Sequence, residues 1–101
     1  MPYNMRMIKT YANKALEAFA MKGDGSKLPV PAAKHNRVRR ILLTLDAATQ
    51  PEDMDLPGFR FHGLNTKPKR YAVDANRNYR VTWAWDDGHA IDVDIEDYHK
   101  A

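Results

Sequence analysis

Around residue 55 the spacing of apolar side chains changes from one recurring every three to four positions to one recurring every second position, and that change dictates what the chain can fold into. Before it, Val38, Ile41, Leu42, Leu45 and Ala48 stand at i, i+3, i+4, i+7 and i+10, the stripe of an amphipathic helix. After it, Tyr79, Val81, Trp83 and Trp85 alternate with Arg80, Thr82 and Ala84, while Ile91, Val93 and Ile95 alternate with Asp92, Asp94 and Glu96. Those are strands with one apolar face. Helices come first and a sheet follows, so the fold class is α+β.

The remaining elements fit this frame. Met5 to Tyr11 roughly alternates and predicts a short strand. Ala12, Leu16, Phe19 and Ala20 predict a first helix from about Ala12 to Lys22, ended by Gly23-Asp24-Gly25-Ser26. Pro29 and Pro31 can enter a helix but not continue one, so the second helix begins beyond them. Phe59, Phe61 and Gly63 alternate with Arg60, His62 and Leu64, and Tyr71, Val73 and Ala75 with Ala72 and Asp74. Asn76-Arg77-Asn78 and Asp86-Asp87-Gly88 supply residues that accept positive φ, so tight antiparallel turns join consecutive strands. The expected architecture is two N-terminal helices packed on one face of a twisted, mainly antiparallel sheet, in a single domain over residues 1–101.

Composition narrows the chemistry. The absence of cysteine excludes disulfides, Cys-ligated zinc, iron–sulfur clusters and a thiol nucleophile, and fits a reducing cytoplasm. The longest apolar run, Ala18 to Met21, is far short of the ~20 residues that span a bilayer, so neither membrane insertion nor export is expected. The net charge of +3 conceals a division. Residues 1–85 hold 15 basic and 7 acidic side chains, and residues 86–101 hold 1 basic and 6 acidic. A basic body of this kind attracts polyanions or an acidic protein, or is a plain solvated surface.

With Phe59, Phe61, Val81, Trp83, Val93 and Ile95 facing the helices, alternation sends Arg60, His62, Arg80, Thr82, Asp92 and Asp94 to the other face. His62 and Arg80 then look the same way. Imidazole moves protons near neutral pH and guanidinium neutralises phosphate, the needs of phosphodiester binding or cleavage; the bland alternative is an ordinary polar face. Asp92, Asp94, Glu96 and His99 crowd donors together, yet acidic residues at alternate strand positions are the usual solvated pattern, and no metal-site spacing occurs. His35 and His89 read as solvated. There is no glycine-rich phosphate loop and no nucleophile elbow.

Four colinear segments resemble a known family: Leu45-Asp46-Ala47-Ala48-Thr49, Gly58-Phe59-Arg60-Phe61-His62-Gly63-Leu64, Asn78-Tyr79-Arg80-Val81-Thr82-Trp83, and Asp92-Val93-Asp94-Ile95-Glu96-Asp97-Tyr98-His99. In order and spacing, over roughly residues 7–99, they are similar to the HigB-type killer toxins of the RelE/ParE superfamily. The resemblance implies a RelE-like fold and a bacterial, cytoplasmic toxin of a type II toxin–antitoxin system. It implies an endoribonuclease that enters the A site of the small ribosomal subunit and cuts mRNA there with neither metal nor cofactor. In that reaction the 2′-hydroxyl attacks the neighbouring phosphate, leaving a cyclic phosphate and a 5′-hydroxyl.

By match to the family motif, His62 and His99 are the acid–base pair, Arg80 stabilises the phosphate, Tyr98 holds the nucleotide and Asp97 positions its neighbours. Arg37, Arg39, Arg40, Lys67, Lys69 and Arg70 would grip ribosomal RNA. The implied partner is a helix-turn-helix antitoxin of the HigA type, with operator DNA reached only through it. In several relatives a lysine stands three positions after the histidine, where this chain has Asn65, which can hydrogen-bond to phosphate but not neutralise it. Either Lys67, Lys69 or Arg70 supplies the charge, or the cut is slower. The alternative is a non-nuclease: a ParE-like gyrase inhibitor, or a degenerate toxin that only binds its antitoxin.

Overall fold

A computed structural model describes residues 8–100. Helix α1 covers Lys14–Lys22 and α2 covers His35–Ala47. Four strands follow: β1 (His62–Gly63), β2 (Arg70–Asp74), β3 (Tyr79–Asp86) and β4 (His89–Asp97). They form one antiparallel sheet in sequential order. Short 3₁₀ turns at Ala32–Lys34, Pro51–Met54 and Tyr98–Lys100 complete the elements. Both helices lie against one face, where Leu16 and Phe19 of α1 and Val38, Ile41, Leu42 and Leu45 of α2 share a core with Val73, Val81, Trp83, Val93 and Ile95. The α+β arrangement read from the sequence is the one observed. Among the described residues, no helix is long and apolar enough to cross a membrane.

Helix α1 starts two residues later than the spacing predicts. The Asn13 side chain accepts the Leu16 N–H at 2.9 Å and caps the helix, while the Ala12 N–H donates instead to the Val93 carbonyl. Gly23, at φ 71°, closes the helix by donating to the Phe19 carbonyl. Of the strand expected over Met5 to Tyr11, residues 5–7 lie outside the described residues. Ile8 and Tyr11 make isolated parallel bridges to Ala90 and Val93, so residues 8–12 run as a strap along β4.

Three expectations are corrected. The strand expected over 59–64 is regular only at His62–Gly63, because Gly58 (φ 84°) and Arg60 (φ 56°) bend the chain ahead of it. The alternation of β4 is broken by a bulge: Thr82 pairs with Asp94 and Ala84 with Ile91, leaving Asp92 and Val93 together opposite Trp83. Asp92 takes φ 51° there, and Ala90 rather than Ile91 joins Val93 and Ile95 in the core. The bulge is held by Thr10, whose hydroxyl accepts the Asp92 N–H at 2.8 Å. Finally, Thr82 does lie on the face away from the helices but is fully buried, because Arg70 reaches across to its hydroxyl at 3.0 Å.

His35 is also structural rather than solvated: it sits edge-on to Phe19 and its Nε2 meets the Val30 carbonyl at 3.2 Å. Both strand turns form, the first without positive φ at residues 76–78. Asn76 Oδ1 accepts the N–H groups of Asn78 and Tyr79, and Asp87 and Gly88 both take positive φ.

The core makes one test direct. Leu45→Ala, at a fully buried position, should lower unfolding free energy by about 2–5 kcal/mol in urea titrations. Leu43→Ala, two positions earlier but 64% exposed, should change it by no more than about 0.5 kcal/mol.

Candidate active site

The β2–β3 hairpin sets the geometry. Its register puts Asp74 opposite Arg80, and the next pairing puts Arg80 opposite Glu96, so all three project from the face away from the helices. Beyond the end of β4, the Tyr98 N–H donates to the Asn78 carbonyl at 2.8 Å, which turns the chain back over the hairpin. Tyr98 then spans the sheet end: its hydroxyl donates to Asp74 Oδ1 at 2.5 Å, and the Arg80 guanidinium lies 4.9 Å from the centre of its ring. The other Asp74 oxygen pairs with Arg60 Nε at 3.0 Å. Arg60 gets there because the bend at Gly58 and its own positive φ bring residues 58–60 alongside the end of β2, where the Asp74 N–H donates to the Phe59 carbonyl.

Helix α2 fixes this junction from below. Arg37 donates from Nε to the Asp74 carbonyl at 3.0 Å and from Nη2 to the Gly58 carbonyl at 2.6 Å. One helical side chain therefore ties together the two segments that carry Arg60 and Asp74. Around them opens a hollow of about 540 Å³, lined by Arg60, Asp74, Arg77, Tyr98 and His99.

Burial pushes the Tyr98 hydroxyl above the ordinary tyrosine range, and the hydrogen bond to Asp74 and its negative charge add to the shift. The positive charges of Arg80 and Arg60 pull the other way and do not overcome it. Tyr98 is accordingly a neutral hydroxyl at physiological pH. Arg80 has no carboxylate partner among the described residues, and its buried Nε has no hydrogen-bond acceptor there. Although Asp74 and Glu96 flank it in register, the guanidinium closes on neither among the described residues, which leaves it able to bind an anion.

Four of the five residues expected to do chemistry, Arg80, Asp97, Tyr98 and His99, thus stand at one end of the sheet. Asp97 Oδ1 accepts the backbone N–H of His99 at 2.8 Å, and the His99 side chain is exposed. His62 is set apart. It lies on β1 in the row of Ala72, Thr82 and Asp94, two strands over and one step along from Arg80, about 12 Å away by strand spacing. Its Nδ1 meets the Arg60 carbonyl at 2.9 Å. A carbonyl can only accept, so in the neutral ring Nδ1 carries the proton and Nε2 is left as the basic nitrogen.

The six basic residues expected on RNA divide in two. Arg37 is committed to backbone carbonyls, and Arg70 to Thr82 and the Asp92 carbonyl at 2.8 Å. Arg39 and Arg40 are exposed, although Arg39 rests over Phe19 and Arg40 over Phe59. Lys67 and Lys69 are exposed on the loop before β2. The acidic residues of β4 do not converge: among the described residues, no three His, Asp or Glu side chains are placed to share a metal ion. Nothing in the local sequence marks Arg60 and Asp74 as site residues. The signal that could have found them is the hairpin register, since a turn at 76–78 obliges Asp74 to face Arg80.

A guanidinium over a neutral tyrosine, with an exposed imidazole on the residue that follows the tyrosine, suits phosphate binding and proton transfer. Comparison with known proteins agrees on the lineage. Residues 9–99 match the RelE-like toxins of the type II toxin–antitoxin system HigB. The chain is 30% identical over 94 residues to the Endoribonuclease HigB of Proteus vulgaris, covering 92% of this chain and all of that one. It is 32% identical over 96 residues to the Toxin HigB-1 of Vibrio cholerae, covering 93% of this chain and 99% of that one. With the helix-on-sheet fold, these matches make the chain a member of the RelE-like HigB toxins of type II toxin–antitoxin systems, whose partner is an antitoxin.

Proposed function

We propose that this toxin is an endoribonuclease that cuts mRNA in the A site of the small ribosomal subunit in the bacterial cytoplasm. It is held silent by a helix-turn-helix antitoxin of the HigA type, through which alone it meets operator DNA. The observation that carries the reading is the Arg80–Tyr98 pair, a cation without a carboxylate partner among the described residues, beside an exposed histidine. The name of the Proteus vulgaris relative supports the same reaction class.

The chemistry follows from the groups present. A base takes the proton of a ribose 2′-hydroxyl, whose oxygen bonds to the adjacent phosphorus. The bond from phosphorus to the 5′-oxygen breaks, and an acid protonates the departing oxygen. The products are a 2′,3′-cyclic phosphate and a 5′-hydroxyl. Negative charge gathers on the phosphate oxygens at the transition state, where the Arg80 guanidinium stabilises it. We assign the base to His62, whose Nε2 is the free basic nitrogen when Nδ1 serves the Arg60 carbonyl, and the acid to His99. The side chains of His62 and Arg80, projecting from the same face, can close on one phosphate from either side. Tyr98, kept protonated, orients the nucleotide by its hydroxyl and ring. Asp97 positions His99 through its backbone N–H. Arg39, Arg40, Lys67 and Lys69 supply exposed positive charge toward ribosomal RNA phosphates, and Arg37 and Arg70 contribute by shaping the surface.

Mapping of mRNA ends on translating ribosomes should show 5′-hydroxyl fragments. Cleavage should fall about 10²–10⁴-fold in His62→Ala and His99→Ala, and about 10²–10³-fold in Arg80→Ala. Unchanged cleavage in any of them removes that residue from the mechanism, and gyrase inhibition with intact mRNA would favour the non-nuclease reading.

The raised Tyr98 value yields a second test. A group whose proton is held more tightly in the folded state stabilises the fold at pH below its ordinary value near 10. That contribution is lost as pH rises through the higher, folded value. The phenolate absorbance assigned by difference from Tyr98→Phe should therefore appear above the ordinary range. In Asp74→Asn it should move back part of the way, since burial remains.

A further inference from the structure

The hollow beside Tyr98 has a charge balance that cutting a single phosphate does not require. Its lining carries two guanidiniums, Arg60 and Arg77, against the one carboxylate of Asp74. Both Asp74 oxygens are already taken, one by Tyr98 and one by Arg60. The ion pair therefore leaves the forked end of Arg60 available: its side chain is 76% exposed while that of Asp74 is 16% exposed. Arg77 is exposed at the tip of the β2–β3 turn and meets no carboxylate among the described residues. Arg80, over the Tyr98 ring, does not line this hollow. Tyr98 thus has one cation over its ring and a separate cationic position in the hollow beside it.

We propose that the hollow is a second phosphate subsite, in which Arg60 and Arg77 hold the backbone phosphate next to the one being cut while that nucleotide lies against Tyr98 and His99. This rests on the RNA-cleaving reading and adds to it a residue set with a different task. At about 540 Å³ the hollow falls within the roughly 300–1,000 Å³ of small-ligand sites, enough for one nucleotide. Guanidinium groups suit it because they engage phosphate oxygens in pairs. Arg60 is pre-aimed, since the positive φ at its own backbone and the salt bridge to Asp74 hold the stem while the fork projects. Arg77, by contrast, reaches the hollow from a turn, with its side chain exposed. The subsite would contribute binding rather than bond breaking.

The test uses ribosome-bound mRNA carrying one neutral methylphosphonate linkage adjacent to the cut position, on the side away from the attacking 2′-hydroxyl or on the other side in a second message. For one of the two messages, wild-type KM should rise about tenfold with kcat little changed, the loss of one charge-assisted contact. Arg77→Ala and Arg60→Gln should raise KM similarly on ordinary mRNA and add nothing further on that message. Among the described residues Arg77 makes no hydrogen bond or ion pair that supports the fold, so its variant should unfold at the wild-type temperature. Wild-type KM for Arg77→Ala on ordinary mRNA, or a neutral-linkage penalty that adds in full to the variant's, overturns the subsite while leaving the nuclease intact. Wild-type protein that leaves every message uncut overturns the nuclease reading, and the subsite with it.

Discussion

Four strands with one dry face must keep their side chains in step, because a slip of a single residue would turn each apolar group toward water. Trp83 is where that requirement is felt most. It is fully buried, it lies in a stack of rings with Tyr71 and Phe61, and the bulge of β4 sits directly opposite it. Two residues of β4 face one of β3 at that point, which reverses the sense of alternation along the rest of the strand. Ala90 and Val93 enter the core as a result, and Ile91 moves to the other face with Ala84.

The same parity determines the face on which chemistry can be assembled. With one side closed by α1 and α2, only the opposite side can present polar groups, and there Asp74, Arg80 and Glu96 fall in one row. Asp74 is the junction between scaffold and site. Its carbonyl is held by Arg37 of α2, its N–H by Phe59, and its two carboxylate oxygens by Tyr98 and Arg60. A displacement of α2 would therefore reach the tyrosine ring, and through it Arg80, by contacts that are all direct.

Much of this was legible from side-chain spacing. The helices, the two long strands and the turns at 76–78 and 86–88 were written in periodicity and in residues that accept positive φ, which are local properties. His62 and Arg80 on a shared face followed from alternation alone, and the Asp97-Tyr98-His99 terminus came from family resemblance rather than from any physical pattern. What could not be read was long-range. The bend at Arg60 depends on Arg37 reaching from another element, and the bulge depends on Thr10, 82 positions away from Asp92. Basic residues look alike in a sequence. Only their partners separate Arg37 and Arg70, which hold the chain to itself, from Arg77, which meets no carboxylate among the described residues.

The strap formed by residues 8–12 has a consequence for how the molecule behaves in company. Sheets with open edges recruit further strands, and a terminal strand displaying unpaired N–H and C=O groups is a template for polymerisation. Here the Lys9 and Ala12 N–H groups take the Ala90 and Val93 carbonyls, and the Val93 N–H is taken by the Thr10 carbonyl, so the middle of that border is occupied by the chain itself. The opposite border is β1, only two residues long. A molecule covered along the middle of one border and foreshortened at the other offers little purchase for fibril growth.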